Sequence, residues 1–184
     1  MGHRTLKAFV PVVLILAFAA PAWASIAAGL GVSYFSPSDP DFRSIYGGGP
    51  LFRAGMSVGI AERIDLWFDG GIFSRSGSLT YTLEETKLSL LPLGVGADCR
   101  FGRTGIRPYV GAGVLLVFFR ESNILGEVKD QAIGGTVRAG VTIPLSGRLA
   151  ADLRVAYSFC RMEPADFEFS VGGFEVGAGL AYSF

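Results

Sequence analysis

From Ser25 to Phe184 the hydrophobic positions recur with a period of two, the spacing of a β-strand with one apolar face, and not the 3.6 of a helix. The stretch from Ala132 to Ile143 puts Ile133, Gly135, Val137, Ala139, Val141 and Ile143 on one face. Gly134, Thr136, Arg138, Gly140 and Thr142 take the other. Arg148 to Cys160 repeats the pattern, with Leu149, Leu153, Val155, Tyr157 and Phe159 alternating with Asp152, Arg154, Ser158 and Cys160. The last segment, 174–184, sets Phe174, Val176, Leu180, Tyr182 and Phe184 against Glu175, Gly177, Gly179 and Ser183. Five further segments fit the same template, at 26–35, 51–60, 64–74, 87–101 and 108–120. In the last of these Leu115, Val117 and Phe119 leave both faces apolar, and its phase follows from the likeness of Val110-Gly111-Ala112-Gly113-Val114 to Val176-Gly177-Ala178-Gly179-Leu180. Pro92 cannot donate to a ladder, so the spanning part of 87–101 is expected to be 92–101, with Pro92 at the rim.

The connections alternate strictly between short ones, at 61–63, 102–107 and 145–147, and longer polar ones, at 36–50, 75–86, 121–131 and 161–172. That is the layout of an outer-membrane barrel, with tight periplasmic turns and longer external loops. The fold expected is all-β: an eight-stranded antiparallel up-and-down transmembrane β-barrel. It is preceded by a signal peptide over 1–24, in which Arg4 and Lys7 lead into an apolar run ending at Ala22-Trp23-Ala24. The barrel domain then spans 25–184, with no linker or second domain visible.

Half of the residues are hydrophobic and 26 are glycine, yet no later run approaches the ~20 apolar residues of a membrane helix. In lipid only helices and closed barrels satisfy every backbone group. Composition of the two faces decides which side meets lipid. The apolar face so assigned carries no charge, although 17% of the chain is charged. The opposite face is dominated by Gly, Ala, Ser and Thr, which suits a crowded lumen better than a wet exterior. Tyr34, Phe52, Phe101, Phe118, Phe159, Phe174 and Phe184 fall near strand ends on the outer face, as an interfacial girdle requires.

The stretch Arg107-Pro108-Tyr109-Val110-Gly111-Ala112-Gly113-Val114 and the terminal Leu180-Ala181-Tyr182-Ser183-Phe184 carry a resemblance. The chain resembles the small outer-membrane β-barrel family, which includes the OmpA transmembrane domain and the OmpW-like proteins. The resemblance covers essentially all of 25–184. It implies a bacterial outer-membrane location, and an assembly signal centred on Tyr182 and Phe184 that is read by the barrel-assembly machinery. It implies no peptidoglycan-binding domain.

Removal of the signal leaves 14 basic residues against 16 acidic ones and no histidine, His3 being the only one in the chain. Nucleic acid, which wants a basic surface, is therefore not an expected partner; the expected surroundings are outer-membrane lipid and lipopolysaccharide, around a monomer. An enzyme is not expected either, because a general base near neutral pH is most often histidine. No cofactor or metal is expected, and Cys99 and Cys160 fall at opposite ends of the barrel, beyond disulfide reach.

The inward face carries Arg53, Asp65, Asp69, Asp98, Arg100, Arg138, Asp152, Arg154 and Glu175. Near balance of sign points to ion pairs filling a narrow lumen, because eight strands leave room for side chains or one small ligand. A turn at 145–147 would set Arg138 opposite Arg154, with Asp69 or Glu175 bridging them. The external loops hold Phe42, Tyr46, Leu125, Phe167 and Phe169, either as a contact surface or as loop packing. Three readings of function follow: a structural or surface-interaction barrel, a narrow conduit or binding site for small solutes, apolar ones included, and, last, a barrel enzyme.

Overall fold

The computed structural model describes residues 25–78, 85–102, 105–124, 126–162 and 169–184; the signal segment, Leu125 and Phe167 lie outside these. Eight strands close into one antiparallel barrel: β1 (Ile26–Pro37), β2 (Gly49–Ala61), β3 (Ile64–Ser78), β4 (Glu85–Arg100), β5 (Arg107–Asn123), β6 (Gly126–Ser146), β7 (Leu149–Phe159) and β10 (Gly173–Ser183). The barrel runs β1-β10-β7-β6-β5-β4-β3-β2, with β1 paired to both β2 and β10, so no strand is left as a free edge of the closed sheet. Two two-residue strands, β8 (Arg161–Met162) and β9 (Phe169–Ser170), pair with each other beside it.

Lipid-facing parity is as the alternation requires. Leu30, Val114, Ile133, Val155, Val176 and Leu180 are exposed, Leu30 and Ile133 to more than 70%. Trp67, Phe73, Leu115 and Phe119, of opposite parity, are buried inside. An exposed apolar belt of this kind is the arrangement that lipid demands.

Four features differ from the sequence reading. Pro92 is not at a rim: β4 runs from Glu85, and Pro92 lies mid-strand opposite Val117. Its missing N–H falls on the β3 side, where the ladder steps from Gly70–Leu93 to Phe73–Leu90 without the pairs between, in unchanged register. The connection expected at 121–131 is mostly strand. β5 and β6 stay paired to Asn123–Gly126, in a hairpin that rises past β7, whose pairing with β6 ends at Gly135–Phe159, while β4 follows β5 up to Lys87–Ser122. The charge-free outer face ends at Phe118, because Arg120 also has outward parity.

The fourth difference is register. Around the β6–β7 turn Ile143 pairs with Ala151 and Val141 with Leu153, not with Leu149 and Ala151. The turn is carried by Gly147, at φ 51°, and the ladder slips between Pro144 and Ser146. The turn falls at Gly147–Arg148, later than expected, and a one-residue bulge beside a proline, which has no N–H to pair, takes part of that displacement back, so the register differs by two residues. Arg138 therefore faces Ala156, Arg154 faces Gly140, and the two arginines are diagonal neighbours.

Candidate functional site: a lumen in two storeys

Inward residues paired in register on neighbouring strands form rows across the barrel wall, and the lower rows, nearest the short turns, are ionic. Asp98, Gly111 and Arg138 form one row on β4, β5 and β6. Because Gly111 has no side chain, Arg138 reaches across it, with Nε 2.8 Å from Asp98 Oδ1. A Cβ at Gly111 would collide with that carboxylate. The next row is Trp67, Gly96 and Gly113. The indole lies over both glycines, and the Arg138 guanidinium stacks on its ring at 3.9 Å.

Asp69 is the hub. Its carboxylate accepts from Arg53 at 3.1 Å, Arg138 at 3.3 Å and Arg154 at 3.1 Å. Glu175 pairs with Arg53, through Nε at 2.6 Å and through Nη2, and lies 3.4 Å from Arg154. Asp69 and Glu175, the bridging carboxylates expected from the sequence, thus both reach the arginines, although Arg138 and Arg154 do not oppose each other. Three arginines and three carboxylates, counting Asp98, interlock with side chains no more than 15% exposed. Arg100 and Asp65 form a separate pair at 2.6 Å nearer the turns. Asp152 accepts from the Tyr109 hydroxyl at 3.2 Å and joins neither cluster by a direct ion pair among the described residues.

A cavity of about 240 Å³ lies beside this network, against the side-chain-poor wall of Gly29, Gly31, Gly177 and Gly179. Arg107 and Trp67, both absent from the expected set, line it as well. Their parity was available: Trp67 sits between Asp65 and Asp69, and Arg107 is two residues from Tyr109.

The upper storey is apolar. Phe35, Leu51, Phe73, Leu88, Leu90, Leu115, Val117 and Phe119 pack in one buried cluster. The short helix α1 (Pro40–Tyr46) closes it from above. Asp39 caps the helix by accepting from the N–H groups of Asp41 and Phe42, each at 3.0 Å, and Gly47, at φ 65°, ends it. Phe42 and Tyr46 are buried, and Phe169 stacks on Phe42 and meets Phe119 edge-on. Of the five external aromatic and aliphatic residues singled out in the sequence, the three that are described are thus loop packing. Tyr46 also meets Thr86, which donates to Glu121 at 2.9 Å; burial holds its phenol above the ordinary tyrosine range, so it remains neutral.

Cys99 is exposed on the outer face and Cys160 is buried under the cap; both are free thiols. Tyr182 and Phe184 face outward with rings 5.3 Å apart, and the Phe184 N–H donates to Ile26 O at 2.9 Å, completing the β1 seam. If these two residues are the assembly signal, deleting Phe184 lowers the yield of inserted barrel, scored by heat-modifiable gel mobility, far more than deleting residues 163–168. Equal yields from the two deletions would count against that role.

An apolar, exposed belt around a closed barrel with a polar inside defines an integral β-barrel membrane protein. The solved structures to which it is similar specify the class. OprG from Pseudomonas aeruginosa aligns with a TM-score of 0.72 at 13% identity, over 88% of this chain and 96% of that one. Neisserial surface protein A aligns at 0.57 and 20%, over 88% and 97%. The N-terminal barrel of Pseudomonas aeruginosa OprF aligns at 0.56 and 16%, over the same shares. No protein-family model and no curated protein matches the chain. The fold is that of these small eight-stranded outer-membrane barrels.

Proposed function

We propose that this protein is a plugged barrel with a structural or surface-interaction role, and neither an open pore nor an enzyme. The observation that carries the proposal is the double closure of the lumen, by the Asp69-centred ion network below and the aromatic cluster under α1 above. Eight strands enclose little more than side chains, and here the side chains of opposite charge are matched. Catalysis has little to draw on. The mature chain has no histidine, and the inward carboxylates of the central network are held by arginines. Purified protein in a planar bilayer is expected to show no stable single-channel current. A reproducible conductance would overturn the proposal in favour of the second reading, a conduit or binding site for small solutes. The feature that favours that alternative is the 240 Å³ cavity beside the network.

A further inference from the structure

Among strand positions of outward parity with described side chains, four are charged: Lys87, Arg120, Glu127 and Lys129. All four sit at the loop end of β4, β5 and β6. Arg120 and Lys129 are directly opposed in the β5–β6 ladder. Lys87 lies diagonally across, because Ser89 pairs with Arg120 and Lys87 with Ser122. Like charges in direct opposition repel, and one acid serves both: Glu127 pairs with Arg120 and lies 2.6 Å from Lys129 Nζ. The patch keeps a net positive charge, with Arg120 57% and Lys129 58% exposed.

Its depth identifies what meets it. On β5 the outward position below Arg120 is Phe118, at the girdle, and Leu116 and Val114 follow into the apolar band. Two residues at ~3.3 Å each, on a strand tilted by roughly 40°, raise Arg120 about 5 Å above Phe118, toward the headgroup layer, where long basic side chains settle.

We propose that Lys87, Arg120 and Lys129 form a binding site for the phosphate groups of an outer-leaflet lipopolysaccharide molecule, with Glu127 as the built-in competitor that a phosphate displaces. The proposal rests on the outer-membrane reading above, with β5 and β6 turning on the external side. The cations are spread over three adjacent strands at the same end of the barrel, with Lys87 two residues beyond the Arg120–Lys129 pair in register, which suits a wide headgroup bearing more than one phosphate.

The test uses the mature chain folded into phosphatidylcholine vesicles containing lipopolysaccharide, phosphatase-treated lipopolysaccharide, or neither with inorganic phosphate added. Phosphorylated lipopolysaccharide alone is expected to raise the midpoint of heat-induced unfolding. In K87Q/R120Q/K129Q the response weakens by roughly fivefold in lipid concentration for each cation removed. In E127Q it strengthens. The site is overturned by a full response in the triple variant, by an equal response to dephosphorylated lipid, or by inorganic phosphate reproducing the effect. If the triple variant does not fold, E127Q decides, and a response no stronger than wild type overturns the site. Failure of wild type to enter vesicles at all would instead strike at the membrane reading.

Discussion

Replacing Asp69 with Asn is expected to destabilise the barrel by about 3–5 kcal/mol, the range for breaking a buried ion pair by removing one partner. Asp69 touches Arg53, Arg138 and Arg154 together, so its loss leaves three guanidinium groups with two carboxylates. Arg53 keeps Glu175 and Arg138 keeps Asp98, but Arg154 retains only Glu175 at 3.4 Å. Removing that surplus arginine should therefore recover stability. The double variant D69N/R154M is expected to unfold at higher urea concentration than D69N, although it has lost more hydrogen bonds. A neutral, paired interior tolerates missing contacts better than an uncompensated charge. Urea unfolding in lipid vesicles checks this. If the double variant were weaker than D69N, the arginines would be solvated by water, and the closed lumen would be lost with the argument.

Parity of β2, β3, β4, β6, β7 and β10 could be read from the chain because lipid tolerates no charge, so a slipped phase would have exposed one. Asp65, Asp69, Asp98, Arg138, Arg154 and Glu175 fell on the correct side for that reason. β1 and β5 carry no charge at inward positions 27–35 and 109–119, and the phase of β5 rests on its likeness to the last strand. Pairing was less legible. The β6–β7 register depends on a bulge beside Pro144, and no hydrophobic pattern records an extra residue at a turn. Above the bilayer both faces of a strand can be polar, so Glu121, Ser122, Glu127 and Gln131 looked like loop although β5 and β6 continue through them. The upper storey was hidden for the opposite reason. Where Leu115, Val117 and Phe119 alternate with Leu116 and Phe118, both faces are apolar, and nothing in the pattern separates core from lipid. Helix α1 is short, and its signal, Asp39-Pro40 with Gly47 after it, lies inside a polar segment that reads as loop.

Trp67 and its glycines were legible only as parity, and they support the second large effect. Gly96 pairs with Trp67 on one side and Gly113 on the other. A Cβ on Gly96 would stand 2.5 Å from Trp67 Cζ2 and 2.6 Å from Gly113 Cα, and closer still to the Ala112 carbonyl. Two of those three neighbours are backbone of a closed sheet and cannot withdraw. Gly96→Val should therefore lift the indole, which also carries the Arg138 guanidinium at 3.9 Å. The cost expected is about 1–3 kcal/mol for overpacking, and a further ~0.5–2 kcal/mol for the cation–π contact. In a chain beginning at Ser25 Trp67 is the one tryptophan, the other being Trp23, so its emission there reports on this place alone. Wild type is expected to emit as a buried indole, 2% exposed, and Gly96→Val to shift to the red and unfold at lower urea. Trp67→Leu on the Gly96→Val background should cost less than Trp67→Leu in wild type, because the clash is already present. Unchanged emission and an unchanged midpoint in Gly96→Val would mean that the indole does not rest on β4, and that Arg138 is positioned by its carboxylates alone.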